Sequence, residues 1–187
     1  ENMFLSQHGV HQGQNASIAL AGATAFLGLE IPASIVENSF QDIILPGRFE
    51  VISTEPLVII DGAHNPPGAL AAAQTLKSSF TFEGTKALIV GMTEEKDADW
   101  MLSNLNASEF DCIFTTEASS PRSMSSEELA KIASTYCSKT IICSNPEDAL
   151  KEAIQISSSD GIIFGTGSMY VVGALREANQ KFQSEQK

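Results

Sequence analysis

The sequence is poor in cysteine, and the few cysteines it has are not spaced as ligands. Its 187 residues include three, Cys112, Cys137 and Cys143, with no CxxC pair among them. Zinc sites and disulfide frameworks use paired cysteines, so we expect neither, and free thiols fit a reducing cytoplasm. Cys112 and Cys143 fall within apolar runs, where we expect them to be small buried hydrophobic side chains.

Positive charge and long apolar runs are also scarce. Eleven basic against 23 acidic residues give a formal net charge of −12, which repels a phosphate backbone, so we expect no nucleic-acid partner. No apolar run approaches the ~18 residues of a membrane span, so we expect no membrane partner. The N-terminus has no basic segment followed by an apolar one, as a signal peptide would. Because it begins at Glu1 rather than Met, we expect a fragment of a longer protein.

Familiar metal and nucleotide motifs are missing as well. The sequence has no GxxxxGK[ST] phosphate loop, and the turn that starts Gly165-Thr166-Gly167 lacks the last glycine of GxGxxG because Tyr170 stands there. A nicotinamide-dependent oxidoreductase is therefore the least favoured enzyme class. His8 and His11 have no Cys, Asp or Glu at metal-like spacing, and we expect both to be structural or solvated.

What the sequence does have is a regular alternation of apolar runs and helical segments after residue 48. The predicted strands are 49–52, 57–61, 87–90, 112–115, 140–143 and 161–164, and the predicted helices are 66–80, 97–105, 126–136, 146–156 and 168–182. Strands that alternate with helices of this length form βαβ units. We predict a Rossmann-like, doubly wound α/β domain with a mainly parallel sheet covered on both faces.

The first 45 residues have a different pattern. Small and apolar residues from Gln12 to Leu29 predict a tightly packed helix that ends at Gly28. A second helix should start with Pro32 in its first turn and run to Ile43 or Ile44. The break at residues 45–47 then marks a domain boundary, so we divide the chain into residues 1–45 and 46–187.

The sharpest functional signal lies between residues 57 and 68. Four apolar residues, 57–60, predict a buried strand, and Asn65 followed by two prolines predicts a helix start. Asp61 then lies at the carboxyl end of a strand and His64 before a helix N-terminus, where α/β sheets bind ligands. Free N–H groups there would attract an anion. Asp61 and His64 are our catalytic candidates; loop capping and a backbone hydrogen bond are their structural alternatives.

Three further side chains are candidates for ligand binding. Ser168, after the last strand, should reach the same sheet edge and hold a carboxylate. The structural alternative is a glycine turn that leads into a helix capped by Ser168. Arg48 follows the break at residues 45–47 and would clamp a phosphate on domain closure. Arg122 follows a strand end and would bind a carboxylate. For both arginines the alternative is a surface charge.

Together these motifs resemble the C-terminal part of folylpolyglutamate synthase and dihydrofolate synthase, members of the Mur ligase superfamily. The match runs in order over essentially the whole chain, and the Asp-Gly-Ala-His-Asn-Pro string with the upstream Pro-Gly-Arg is specific to the folate branch. The matching residues are His11-Gln12 with Asn15-Ala16, Pro46-Gly47-Arg48, Asp61-Gly62-Ala63-His64-Asn65-Pro66, Lys96-Asp97, Pro121-Arg122, and Gly167-Ser168-Met169-Tyr170 with Val172-Gly173 and Arg176.

The resemblance implies an ATP-dependent, ADP-forming ligase of folate biosynthesis and one-carbon metabolism. It would add L-glutamate to a dihydropteroate or tetrahydrofolate carboxylate through an acyl phosphate. By family position, Asn15 looks like the adenine contact, Arg48 the phosphate contact, and Asp61 a hydroxyl or ribose contact. His64 looks like a residue of the glutamate and acyl-transfer site.

The same resemblance implies that part of the machinery lies elsewhere. The family's phosphate loop, magnesium ligands and modified lysine belong to an N-terminal ATPase domain, of which residues 1–45 resemble only the last helices. We therefore expect ATP and Mg²⁺ to be needed, no metal ligand in this chain, and no ATP hydrolysis or glutamate ligation by this chain alone. Ser168 and Arg122 are the further candidates for holding the incoming glutamate.

Two other functions remain open from the sequence. A peptidoglycan or cyanophycin ligase of the Mur type would share the fold and the ATP chemistry, although peptidoglycan ligases more often carry tyrosine in place of Gly62. A non-catalytic α/β ligand-binding module would use Asp61 and His64 only to shape a pocket. The sequence does not decide between dihydrofolate synthesis, polyglutamate extension, or both.

Overall fold

The fold is built around one six-stranded sheet. The computed structural model describes residues 4–117 and 119–185. The strands are β1 (Glu50–Thr54), β2 (Leu57–Ile60), β3 (Lys86–Val90), β4 (Cys112–Thr115), β5 (Thr140–Ile142) and β6 (Ile162–Thr166). Their order across the sheet is β1-β2-β6-β3-β4-β5. Among the described strands, β1 pairs antiparallel with β2, and the pairings β2–β6, β6–β3, β3–β4 and β4–β5 are parallel.

Helices cover both faces of the sheet. The helices are α1 (Val10–Leu27), α2 (Ala33–Gln41), α3 (Pro66–Ser79), α4 (Ala98–Asn104), α5 (Ser126–Ala133), α6 (Pro146–Ile156) and α7 (Met169–Glu185). Apolar residues of α3, α4 and α5 pack against one face of the sheet, and those of α6 and α7 against the other. Along β3, Leu88 points to the first face and Ile89 to the second, as strand pleating requires. The predicted doubly wound α/β fold is confirmed.

Four of these helices begin where the sequence supplies a capping side chain. Asn65 Oδ1 accepts from Gly68 N–H at 2.9 Å and starts α3, and Asn145 Oδ1 accepts from Asp148 N–H at 2.9 Å and starts α6. A proline follows each asparagine, in the first turn where its missing N–H costs nothing. Asp97 and Ser125 cap α4 and α5 in the same way. The strand-to-helix loops are therefore fixed locally.

The helix α1 differs from its prediction. It ends at Gly28 as expected, in the left-handed conformation with φ 66°. The expectation of tight packing is wrong, because Gln12 is its one buried residue among those described, and Ile18 and Phe26 are 71% and 90% exposed. Small and apolar residues all around a helix favour close packing but do not say what covers it. The next helix, α2, ends at Gln41, two residues before Ile43.

Two other expectations concern the cysteines and membrane crossing. Cys112 and Cys143 are buried as predicted, and burial raises the pKa of both thiols to about 11. A thiol with such a pKa stays protonated and unreactive near neutral pH. Among the described helices, none combines the length and the apolar character needed to cross a bilayer.

Candidate functional site

The loops after β2 and β6 meet at the carboxyl edge of the sheet. Asp61 N–H donates to the Gly165 carbonyl at 2.9 Å, and Gly167 N–H donates to the Ala63 carbonyl at 3.1 Å. These bonds join residues about a hundred positions apart in sequence. The glycine-rich turn and the Asp61–His64 loop therefore share one rim, which is the arrangement that the sequence predicts.

Asp61 is held by main-chain donors on both carboxylate oxygens. Its Oδ2 accepts from Phe49 N–H and its Oδ1 from Ala63 N–H, both at 2.9 Å. The side chain is 7% exposed. Burial raises the pKa of this carboxyl above its ordinary value, and that effect exceeds the opposing influence of the two N–H donors and of the nearby Arg48 and His11. The carboxylate is thus fixed in direction and only partly solvated.

His64 is exposed and oriented by a single backbone contact. Its Nδ1 lies 2.9 Å from the Gly62 carbonyl oxygen. A carbonyl oxygen only accepts hydrogen bonds, so Nδ1 carries the proton in the neutral ring and Nε2 keeps its lone pair. The ring therefore presents an acceptor that can take a proton from a bound group.

Arg48 reaches this loop from a strained turn. Its Nη1 lies 3.2 Å from the position that a Cβ would take at Gly62, so the guanidinium lies over the loop. The next residue, Phe49, has φ 47°, a conformation that costs a bulky residue on the order of 1–3 kcal/mol. Its ring is 2% exposed and packs on Phe80 and Phe164, each at 5.7 Å between centroids. Core packing thus holds the backbone that aims Phe49 N–H at Asp61.

These groups open into one cleft that α1 completes. The cleft has a volume of about 330 Å³ and is lined by four of the predicted residues, Asn15, Arg48, Asp61 and His64. The Asn15 amide is oriented by its neighbour on the same helix, since Asn15 Nδ2 donates to Gln12 Oε1 at 3.1 Å. A carboxylate, an imidazole, a guanidinium and an amide therefore surround a space suited to a polar, anionic ligand.

Three lining residues with polar side chains were not singled out for binding from sequence reasoning alone. His11 and Gln12 line the cleft, although we expected His11 to be structural or solvated. Their spacing to Asn15 places all three on adjacent turns of α1, a helical signal that could have found them. Asn65, predicted only as a cap, also lines the cleft. His8 is structural as expected, with its ring 4.9 Å from that of Phe80.

The expected cluster of free N–H groups at the start of α3 is not there. Pro66 and Pro67 carry no N–H, and Gly68 N–H is taken by Asn65 Oδ1. Ala69 N–H bonds the Asn65 carbonyl at 2.9 Å. The helix can therefore offer an anion its dipole but no free first-turn donor, because the residues that start it also occupy or remove its donors. Attraction of an anion falls to Arg48.

Ser168 and Arg122 lie outside this cleft. Ser168 is 5% exposed, and its Oγ accepts from Tyr170 N–H at 3.2 Å at the start of α7. Arg122 is on the loop after β4, with its Nη1 3.7 Å from Glu95 Oε1 and its side chain 66% exposed. The pKa of the Glu95 carboxyl is lowered mainly by a hydrogen bond from the backbone N–H of Glu95 itself, and less by Arg122. Arg122 thus already has an acidic neighbour on the adjacent loop.

Other features of the described chain carry less chemistry. A cavity of about 380 Å³ at the amino edge of the sheet is lined mainly by apolar side chains such as Leu76, Phe80 and Phe110, with no imidazole. Within residues 4–117 and 119–185, no group of three or more His, Cys, Asp and Glu side chains is arranged to hold a metal ion.

Known proteins match most of the chain. A family model described as the glutamate ligase domain of Mur ligases matches residues 47–169. The dihydrofolate synthase/folylpolyglutamate synthase of Mycobacterium tuberculosis is 34% identical over an alignment 197 positions long, which covers 94% of this chain and 39% of that protein. Its Bacillus subtilis counterpart is 27% identical and spans 95% of this chain and 41% of that protein. The chain thus spans about two fifths of the length of these curated relatives.

Solved structures match the architecture as well. Mycobacterium tuberculosis folylpolyglutamate synthase complexed with ADP has a TM-score of 0.86 at 33% identity, covering 97% of this chain and 42% of that chain. Escherichia coli FolC in complex with DHPP and ADP has a TM-score of 0.83 at 25% identity, covering all of this chain (100%) and 42% of that chain. The matched span 47–169 contains every candidate site residue except Asn15.

Proposed function

This chain belongs to the glutamate ligase domain family of the Mur ligases, and from that membership we propose that it forms the C-terminal part of a folate-branch ligase. The whole enzyme would couple ATP cleavage to formation of an amide between L-glutamate and a dihydropteroate or folate carboxylate. The folate assignment is supported by relatives named dihydrofolate synthase and folylpolyglutamate synthase, which match over nearly the whole chain.

The observation that carries the proposal is the cleft between α1 and α3. It gathers an amide, a guanidinium, a buried carboxylate and an imidazole within one volume of about 330 Å³. Joining two carboxylate-bearing substrates with a triphosphate gathers negative charge at one place, so catalysis consists largely of positioning and charge stabilisation. A chain of net charge −12 that places Arg48 at this point fits that requirement.

We assign the nucleotide side of the cleft to Asn15, Arg48 and Asp61. Asn15, oriented by Gln12, would contact the adenine. Arg48 would contact the phosphates, because its guanidinium is the cation that lies over Gly62. Asp61 would accept from a hydroxyl group such as that of ribose, since a buried and fixed carboxylate is a directional acceptor.

We assign the glutamate side to His64, with Ser168 and Arg122 as further candidates. The free Nε2 of His64 would take a proton as the glutamate amine attacks the acyl phosphate. Ser168 and Arg122 do not line the cleft: the Ser168 hydroxyl accepts from Tyr170 N–H and keeps its proton to donate elsewhere, and Arg122 lies beside Glu95 on another loop. His64 is therefore the residue with which the glutamate site should be tested first.

We further propose that residues 1–45 belong with the ATPase portion of the enzyme. The family match begins at residue 47, and α1 exposes large apolar side chains such as Ile18 and Phe26. As the resemblance to this family implies, the phosphate loop and the Mg²⁺ ligands would lie in the ATPase portion. The cytoplasm fits three cysteines that are all free thiols.

The test measures release of ADP by a longer protein, which includes the coding sequence upstream of Glu1 and extends through Lys187. Release should depend on both L-glutamate and dihydropteroate or a tetrahydrofolate, whereas residues 1–187 alone should release none. Uridine-diphosphate-linked peptides, the substrates of the peptidoglycan branch, form the second arm. Activity with those peptides alone, or an upstream frame without a phosphate loop, would contradict the folate assignment.

The site assignment predicts what single substitutions do in that longer protein. Asp61→Ala and His64→Ala should each lower kcat at least about tenfold, because fixed electrostatic and proton-transfer groups contribute that much or more. Glu147→Ala, on the exposed part of α6, is the control and should leave turnover near the parent's. Near-normal turnover in both site variants would remove Asp61 and His64 from the catalytic site.

A further inference from the structure

Glu50 joins the turn that carries Arg48 to the last helix. The Gly47 N–H donates to Glu50 Oε2 at 2.8 Å, and Arg176 Nε on α7 donates to Glu50 Oε1 at 2.9 Å. The Gly47 carbonyl in turn accepts from Gly62 N–H at 2.8 Å. A continuous series of bonds therefore runs from α7 through Glu50 and Gly47 into the loop that bears Asp61 and His64.

Packing against α7 fixes the same turn. Gly47 has φ 70°, and a Cβ there would lie 2.8 Å from Val172 Cγ1 and 3.2 Å from Met169 Cε. Met169 also contacts Gly62, where a Cβ would overlap its sulfur. The start of α7 thus touches the turn and the loop together. Van der Waals contacts with α7 therefore limit the position of Gly47, and its N–H is bound separately by the Glu50 carboxylate.

The Glu50–Arg176 pair is more enclosed than the Glu147–Lys181 pair, which also involves α7. The Glu50 and Arg176 side chains are 19% and 40% exposed, whereas Glu147 and Lys181 are 48% and 59% exposed at a similar distance of 2.8 Å. Solvent screens the first pair less, so its geometry is better defined. Removing Glu50 would also leave a main-chain N–H of a buried residue without its acceptor.

We propose that Glu50 and Arg176 are positioning residues that fix the Pro46–Arg48 turn and so hold Arg48 beside Asp61. Glu50 acts through the Gly47 N–H, and Arg176 acts by orienting the Glu50 carboxylate. The catalytic consequence rests on the proposed function, in which Arg48 contacts the phosphates. The structural part concerns this chain alone and is tested on it.

Amide hydrogen exchange on the 187-residue chain tests the structural part. Glu50→Ala should speed exchange of the Gly47 and Gly62 amides by roughly tenfold relative to Leu88 and Ile89, whose exchange requires global unfolding. Glu50→Gln keeps one carbonyl acceptor for Gly47 but turns its NH₂ toward Arg176 Nε–H, so exchange should rise by about threefold at most, less than in Glu50→Ala. Glu147→Gln, the matched control at the exposed pair, should change neither glycine.

Each exchange result decides the structural part. If Glu50→Ala speeds exchange equally at the two glycine amides and at Leu88 and Ile89, the ion pair stabilises the whole fold and not the turn in particular, and the proposal is overturned. Arg176→Ala leaves the Gly47 acceptor in place, so it should speed the two glycine amides by less than Glu50→Ala does. If Arg176→Ala has no effect on these amides, Arg176 has no part in positioning.

Steady-state kinetics of the longer enzyme test the catalytic part. Glu50→Ala should lower kcat/KM for ATP by about tenfold or more, because small displacements of a positioned group are costly, and Glu50→Gln should recover most of that loss. Normal kcat/KM in Glu50→Ala of an active ligase would overturn the proposal. An inactive parent would instead contradict the proposed function, and the exchange result would still decide whether Glu50 holds the turn.

Discussion

At the residue scale, Asp61 has a pH dependence with a definite sign. Its pKa is raised above the ordinary 3.8 by burial. A carboxyl whose pKa is higher in the folded than in the unfolded chain contributes most to folding stability below pH 3.8, where it is protonated in both states. That contribution is lost as the pH rises through the folded-state pKa. Asp61→Asn cannot ionise. Its stability relative to the parent should therefore increase from pH 3.8 upward and become constant above the folded-state pKa.

Urea unfolding of parent and variant across this pH range measures the difference. The free energy of unfolding is compared at each pH, with Asp42→Asn at an exposed carboxyl as the control. A difference between Asp61→Asn and the parent that is independent of pH, or that falls as pH rises, would contradict the buried carboxylate described above.

Two glycines near α7 should respond in opposite directions to alanine. Gly167 has φ 103°, and a Cβ there would lie 2.6 Å from the Gly91 carbonyl oxygen, so Gly167→Ala should cost about 2 kcal/mol or more. At Gly173, inside α7, a Cβ would meet no described atom within 4 Å. Gly173→Ala should therefore stabilise the chain by about 0.5–1 kcal/mol. Denaturant midpoints of the two variants check both signs, and equal shifts would contradict the glycine-rich turn as described.

Residue-level prediction from sequence succeeded where neighbours along the chain decide the structure. The positions of Asp61 and His64 follow from a buried strand that ends at Ile60 and a helix that Asn65 starts. Arg122 could not be placed in this way, because its acidic neighbour Glu95 belongs to another strand-to-helix loop. Helical spacing alone predicts that Gln12 and Asn15 lie close together. Their place in the same cleft as Asp61 depends on how α1 packs against the rest of the chain, which the sequence pattern does not give.

At the element scale, α3 and α6 form a matched pair. Each begins with Asn-Pro, and each asparagine caps its helix at 2.9 Å. Asn65→Ala and Asn145→Ala should each cost about 1 kcal/mol of unfolding free energy, with Asn145 no less because its amide also donates to Asp148. Only Asn65 lines the cleft. Only Asn65→Ala should therefore lower ADP release by the longer enzyme, and an equal loss in Asn145→Ala would trace that loss to stability.

The strands were the most predictable elements, and their arrangement was the least. A parallel strand covered on both faces is a continuous apolar run, so β2, β3, β4 and β6 were located to within one or two residues. The order β1-β2-β6-β3-β4-β5 was beyond sequence patterning, because side-chain hydrophobicity does not say which strands pair. The short 3₁₀ turn at Ala107–Glu109 was missed, since three residues are too few for a periodic signal.

At the scale of the whole molecule, the predicted boundary near residue 46 can be tested by truncation. A chain of residues 45–187 should keep a cooperative urea transition, because the 18-residue α1 buries one described residue and the family match begins at residue 47. Circular dichroism should show the helical signal reduced by α1 and the 9-residue α2 only. A chain without a cooperative transition would place the boundary elsewhere.

The matched control is a chain that begins at Glu55. It lacks β1 and the ring of Phe49, which is 2% exposed. Loss of a buried phenylalanine alone costs about 3 kcal/mol or more, so this chain should be much less stable than the one that begins at Leu45. Similar stability of the two truncated chains would show that β1 and Phe49 are not part of the folding unit.

The atoms that orient the acid and the imidazole of the cleft all belong to the main chain. Phe49 N–H and Ala63 N–H hold Asp61, and the Gly62 carbonyl holds His64. Exchanging the side chains at these three positions leaves the partner atoms in existence, with proline at 49 or 63 as the exception. Mutational scanning should accordingly tolerate small replacements such as serine at the buried Ala63, while a one-residue insertion or deletion between β2 and α3 should abolish the arrangement. Variation in loop length is thus the genetic change to which this site is most sensitive.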